Sequence, residues 1–337
     1  MSSIRDVARQ AGVSPATVSR ILNNDPTYKT TAETRQRVLK TVTELDYKPL
    51  VRRCRKNNPQ GDAKKLSIGC VMVSTKGRYS DPYYMAILSG IEQELEKLGG
   101  TVTLVRTTQE MADQEALDSL LNAPLDGLVL MCQIRPALFE TLHRRFPHIV
   151  GIDTGYMPID SVEYDHARVS RMAVEYLYSK GHREIGFIGA GTLDESVLKS
   201  RRYRSYCETM LDLGLTVNHD WVVDCAWDDR LCMKGVSRIL GSGHAPTAFY
   251  VASDLMAMAA LRALYQAKVR VPEEIAVIGM SNIEMSQYAN PPLTTIDVPT
   301  HELGVVVAQV LIARIHGDTS LHKHILLPSE LIERDSV

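Results

Sequence analysis

Ala16, Ser19, Arg20 and Asn23 recur at i, i+3, i+4 and i+7, so one helical face would carry a methyl, a hydroxyl, a guanidinium and an amide. Those groups read base edges in a major groove: arginine onto guanine, amide onto adenine, small apolar groups onto the thymine methyl. Ser14 supplies an N-cap ahead of them, and Pro15 opens the helix where a missing N–H costs nothing. The opposite face, Val18, Ile21 and Leu22, must then rest on a first helix, whose stripe is Ile4, Val7, Ala8 and Ala11. Ser3 with Asp6 forms a capping box for that first helix, and Gly12-Val13-Ser14 makes a tight turn between two steeply crossed helices. A third helix, capped by Thr30 with Glu33, buries Val38, Val42 and Leu45. This spacing predicts a helix-turn-helix head over residues 1–48.

Charge is segregated to match. Residues 1–65 hold 14 Lys+Arg against 6 Asp+Glu in a chain of formal net charge −2, so a cationic module precedes an acidic body. Residues 49–65, rich in Arg, Lys, Asn, Pro and Gly, read as a basic linker with little to bury. At 337 residues and 45% hydrophobic the chain has room for more than one domain. Its six cysteines, at 54, 70, 132, 207, 225 and 232, form no C-x-x-C pair and no zinc spacing with His, so they are expected to be reduced thiols in a cytoplasmic protein. No signal peptide or membrane-spanning run is visible, which points away from secretion and membranes.

From residue 66 on, strand-like runs (66–73, 101–106, 127–132, 148–152, 184–189, 247–251, 275–279) alternate with helical stretches (83–98, 136–146, 167–180, 196–213, 254–267, 301–316). Such alternation gives an α/β body with parallel sheets, divided here into two subdomains: 66–165 with 296–323, and 166–295 with 324–337. Ligands in such folds bind beyond the carboxyl ends of strands. Asp153, Ser253, Asp254, Ser281 and Asn282 follow strand ends and suit either ligand contacts or turns and caps. Arg202 lies in a basic run, and Trp227 suits a sugar ring or a core. No acid/base pair, dinucleotide G-x-G-x-x-G, P-loop or H-E-x-x-H appears, so neither an enzyme nor a cofactor is expected. A sugar-binding transport protein would share the body but has no use for the head.

Asp6-Val7-Ala8, Ala11-Gly12-Val13-Ser14 and Ala16-Thr17-Val18-Ser19-Arg20 together make a specific signature. With Gly181-His182-Arg183-Glu184-Ile185-Gly186-Phe187-Ile188-Gly189, Ala252-Ser253-Asp254 and Pro291-Pro292-Leu293-Thr294-Thr295-Ile296, it resembles the lactose/galactose repressor family over essentially the whole chain. The resemblance implies a cytoplasmic, homodimeric repressor on a pseudo-palindromic double-stranded DNA operator. Its body would have the type I periplasmic-binding-protein-like fold, with two lobes closing on a sugar or glycoside, a galactoside being the suggested effector. It implies DNA contacts from Ser14, Pro15, Ala16, Thr17, Ser19, Arg20 and Asn23, with Tyr47, Arg52, Arg53 and Lys56 beyond the head. It implies effector contacts from Tyr83, Tyr84, Asp153, Arg202, Trp227, Ser253, Asp254, Ser281 and Asn282. Two departures stand out. Ser281-Asn282 replaces the family's aspartate pair, and Leu50-Val51-Arg52-Arg53-Cys54-Arg55-Lys56 puts Arg53 and Lys56 where the hinge usually carries Ala and a groove-wedging Leu. That hinge is expected to grip DNA mainly by charge.

Overall fold

The computed structural model describes residues 4–22, 30–45, 65–73, 81–155, 157–191 and 196–337, in two compact units, 1–62 and 63–337. The expected contacts Asn23, Tyr47, Arg52, Arg53 and Lys56, with the hinge and the Ser3 cap, lie outside the described residues.

The first unit holds α1 (Ile4–Gln10), α2 (Pro15–Leu22) and α3 (Ala32–Glu44). Val7, Ala8, Ala11, Val18, Ile21, Val38 and Val42 bury together, as their spacing requires. Gly12 takes a positive φ of 65° at the turn. Ser14 Oγ accepts from the Thr17 N–H at 3.1 Å, so the serine caps α2. The third helix is capped differently from expectation: Thr31 Oγ1, one residue later than Thr30, accepts from the Thr34 N–H at 3.2 Å. Arg37 Nε donates to the Ala11 carbonyl at 2.9 Å and ties α3 to the end of α1.

The second unit opens with β1 (Leu66–Met72), α4 (Pro82–Lys97), β2 (Gly100–Thr107), α5 (Gln114–Leu121), β3 (Gly127–Met131), α6 (Pro136–Arg145), β4 (Ile149–Ile152) and β5 (Asp160–Tyr164). There follow α7 (His166–Ser179), β6 (Ile185–Gly189), α8 (Arg201–Asp212), β7 (Val222–Asp224), α9 (Asp229–Gly241), β8 (Ala248–Val251), α10 (Asp254–Gln266), β9 (Ala276–Ser281), β10 (Thr294–Asp297), α11 (Thr300–Ile315), β11 (His324–Leu327) and β12 (Glu330–Ile332). Two six-stranded sheets result, ordered β2-β1-β3-β4-β5-β11 and β7-β6-β8-β9-β10-β12. All pairings are parallel except β10 with β12. Central strands such as Gly127–Met131 are buried along their whole length because helices cover both faces.

The chain passes between sheets after β5, after β10 and after β11. The subdomain limits therefore differ from expectation at both late crossings. Thr294–Asp297 stays with the second sheet to its last residue, and His324–Leu327 returns to the first. Alternation of apolar residues could not show this, because β11 reads His-Ile-Leu-Leu and β10 reads Thr-Thr-Ile-Asp.

Helices α4 and α11 pack against each other at two glycines. A Cβ on Gly90 would sit 2.1 Å from the His301 carbonyl oxygen, and one on Gly304 would sit 2.1 Å from that of Ile87. Arg314 then forks onto Asp160, Nε to Oδ2 at 2.7 Å and one terminal nitrogen to Oδ1 at 2.8 Å, fastening α11 to the polar strand β5, which lies between β4 and β11.

Candidate effector cleft and DNA-reading helix

At the end of β4, Asp153 takes a left-handed backbone, φ 52°. Its Oδ1 lies 2.7 Å from Nε2 of His166, the first residue of α7, and the Tyr83 hydroxyl at the start of α4 donates to Oδ2 at 3.4 Å. Asp81 caps α4 by accepting from the Tyr83 N–H, which sets Tyr83 and Tyr84 on its first turn with their rings edge to face at 5.2 Å. Burial alone would raise the Asp153 carboxyl, but the His166 ring, with Arg202 and Arg201 beyond it, holds it below the usual carboxylate range. Burial lowers His166 despite the neighbouring carboxylate. An ionised carboxylate can only accept, so the hydrogen bond between them places a proton on His166 Nε2.

Arg202, on the first turn of α8, comes from the other lobe. Its Nε donates to the Tyr164 hydroxyl at 3.0 Å, and a terminal nitrogen donates to the same oxygen. The guanidinium also lies 5.6 Å from the centre of the Trp227 ring. Tyr164 touches the His166 ring, centroids 4.1 Å apart, and its hydroxyl reaches Met280 Sδ at 3.8 Å. Next to it, Glu163 accepts from Ser161 Oγ at 2.9 Å and from Arg201 at 2.8 Å. Groups from both lobes thus meet at the carboxyl ends of β4, β5 and β9, beside the first crossing. Asp153, Glu163 and His166 lie close enough, within 4.8 Å, to share a cation, but the two arginines already balance the carboxylates.

The structure brings Tyr83, Tyr84, Asp153, Arg202 and Trp227 together, and it separates the remaining expected contacts by role. Asp254 is buried; its carboxylate accepts from Thr295 Oγ1 at 2.6 Å and from the Ile283 N–H at 3.0 Å. Burial pushes its pKa up to about 6. It fastens β9 and β10 to α10, and the short Gly279 lets it lie against the strand. Ser253 occupies the N-cap position of α10 but its side chain makes no capping hydrogen bond. Asn282 is held on both sides: its amide donates to Asp297 at 2.8 Å, and Arg334 donates to its carbonyl at 2.7 Å. Ser281 is buried at the end of β9.

Six non-glycine residues among those described have positive φ, and four of them are Asp153, Trp227, Ser281 and Asn282. Each such conformation costs about 1–2 kcal/mol for an L-residue. Strain of this kind gathers at ligand-contacting turns. Sequence reasoning missed Tyr164, His166, Glu163 and Arg201. The signal for them was a strand of buried polar residues, Asp160–Tyr164, followed at once by a capping Asp165 that accepts from the Ala167 and Arg168 N–H groups.

Ser14 at the cap of α2 and Pro15, Ala16 and Arg20 on it are exposed, while Thr17 and Ser19 are half-buried. Residues 3–49 match the model of bacterial regulatory proteins of the lacI family, and residues 174–337 match that of a periplasmic binding protein-like domain. The HTH-type transcriptional repressor MelR of Bacillus subtilis is 33% identical over 100% of this chain and 97% of its own length. The chain belongs to the lacI family of bacterial regulatory proteins. The ribose operon repressor of Escherichia coli is 30% identical over the whole of both chains. The solved Lac repressor dimer bound to operator and the anti-inducer ONPF superposes with a TM-score of 0.71 at 26% identity, over 99% of this chain and 98% of that one. As a lacI-family member the protein is a DNA-binding transcription regulator, and the relatives named here are repressors.

Proposed function

We propose that this lacI-family regulator is a cytoplasmic repressor of a carbohydrate-utilisation operon, and that a neutral sugar or glycoside bound between its lobes sets its operator affinity. The observation that carries the reading is the meeting of Asp153 from one lobe and Arg202 from the other beside two tyrosines and Trp227. A carboxylate, a guanidinium and aromatic faces match a ring that offers donors and acceptors on its edge and C–H groups on its face. The names of the relatives, one a ribose operon repressor, support the sugar class.

Two heads of a homodimer would read a pseudo-palindrome with half-sites about one helical turn (~34 Å) apart. Pro15, Ala16 and Arg20 would meet bases, with Ser14, Thr17 and Ser19 flanking them and Asn23, Tyr47, Arg52, Arg53 and Lys56 extending the contact. Since Pro15 and Ala16 offer no side-chain hydrogen bonds, thymine methyls would carry more of the readout there. The role is regulatory binding and not catalysis; a transport protein of the same body fold would have no use for α2. No helix among the described residues is long and apolar enough to cross a membrane.

A thermal-shift panel of free sugars, galactosides and other glycosides on the full-length protein tests the cleft. A ligand at 100 times its Kd should stabilise the fold by about 2.7 kcal/mol. A selective shift supports the reading; a shift with nucleobases and none with any sugar would overturn it.

A further inference from the structure

Arg201 and Arg202 stand side by side on the first turn of α8, a place where two guanidinium groups and free helix N–H groups would ordinarily draw in a phosphate. Arg201 is already paired with a carboxylate, and Arg202 with a phenol. The Arg201 guanidinium donates to Glu163, whose side chain is only 1% exposed while that of Arg201 is 39% exposed. Glu163 is in turn oriented by Ser161. Arg202 is bonded to Tyr164 and lies in the field of the ionised Asp153. A phosphate ester arriving with nearly two negative charges would meet the buried Glu163 carboxylate and the half-buried Asp153 carboxylate, with the exposed His324 ring 3.7 Å from Glu163 on its outer side.

We infer that the cleft selects uncharged polyols against their phosphate esters, and that Glu163 is the specificity-determining residue because its carboxylate occupies the Arg201 guanidinium. The inference rests on the cleft being the sugar site proposed above. It adds the charge of the effector and the residue that sets it. Glu163→Gln keeps the side chain's shape and an acceptor for Arg201, but it leaves one guanidinium charge uncompensated.

The test is calorimetric titration of the full-length protein with cellobiose, melibiose and lactose, and with glucose 6-phosphate, galactose 6-phosphate and inorganic phosphate. The wild type should bind none of the three phosphates at millimolar concentration. Glu163→Gln should gain phosphate affinity by at least tenfold, and Arg201→Gln in the same background should remove the gain. Binding of either sugar phosphate by the wild type overturns the inference, as does a folded Glu163→Gln variant with no gain. If that variant does not fold, the wild-type titrations decide alone. Phosphate gained by the variant while no neutral sugar binds the wild type would sink the sugar reading and leave the charge rule standing. A sugar phosphate bound by the wild type alongside a neutral sugar would sink the charge rule and leave the sugar reading standing.

Discussion

Arg202 of α8 and Tyr164 of β5 join the two lobes: the Arg202 Nε–H donates to the Tyr164 hydroxyl at 3.0 Å, next to the segment where the chain first crosses. The same guanidinium faces Trp227, so one side chain couples the crossing to the turn proposed to meet the sugar. A change in lobe angle must therefore strain or release this contact, which gives effector binding a mechanical link to the rest of the body.

Arg202→Lys should uncouple the site while the head still binds DNA. Lysine keeps the charge but loses the fork that holds Tyr164, and hydrogen bonds to charged groups contribute about 1.5–3 kcal/mol. The expected result is a tenfold or greater loss of affinity for whichever sugar the thermal-shift panel selects, with operator affinity in its absence within threefold of wild type. Fluorescence anisotropy on operator DNA and calorimetry with that sugar check the two halves separately.

His166 makes the fold sensitive to acid. Burial holds its pKa below the ordinary histidine value near 6.5, so the unfolded chain takes up a proton that the folded chain refuses. Its contribution to stability is intact above that pH and is lost progressively as pH falls below about 6.5. Asp254 acts in the opposite sense. Its pKa of about 6 lies above the unfolded value, so its burial penalty is full above pH 6 and eases as pH falls toward 4. Urea unfolding at pH 7.5 and 5.5 should show the wild type losing more stability over that interval than His166→Gln. An equal loss in both would refute the assignment.

Asp254→Asn tests the fastener. An amide offers one acceptor oxygen in place of two, so either the Ile283 N–H meets an N–H or the Thr295 hydroxyl loses the acceptor for its own hydrogen, leaving a buried donor unsatisfied at a cost of about 1–3 kcal/mol. We expect a lower Tm with sugar affinity within threefold of wild type once the variant is folded. A selective loss of sugar affinity at unchanged Tm would return Asp254 to the ligand site.

Gly304→Ala should destabilise the first lobe. The added methyl meets the Ile87 backbone carbonyl at 2.1 Å, and α4 cannot yield without moving the Tyr83 and Tyr84 turn. Overpacking costs of about 1–3 kcal/mol are expected, read as a lower urea midpoint.

The head and most of the α/β alternation were legible in the sequence because their apolar spacing is set by the same burial that holds them: Val7, Ala8, Val18 and Ile21 on the head, or the all-apolar Gly127–Met131 strand. Strand β5 was not legible, since Asp160, Ser161 and Glu163 are buried polar residues whose partners, Arg314 and Arg201, lie far along the chain. Helix α9, opened by Asp228 accepting from the Arg230 and Leu231 N–H groups, was hidden by charged residues at its start. Asp153, Arg202 and Trp227 could be picked out as types, but nothing local foretold the left-handed backbone at Asp153 and Trp227. For Asp254 and Asn282 the sequence left both roles open, because a polar residue after a strand reads alike whether it turns to a ligand or to Thr295, Asp297 and Arg334.

On the proposed function, a sugar between the lobes changes affinity for DNA. The direct measurement selects operator DNA from a random library with the full-length protein, then titrates it by fluorescence anisotropy with and without saturating sugar from the panel. Operator Kd should shift by about 5- to 150-fold, the range of ordinary allosteric coupling, and the shift should be lost in Arg202→Lys. A sugar that demonstrably occupies the cleft while operator Kd stays the same would contradict that function.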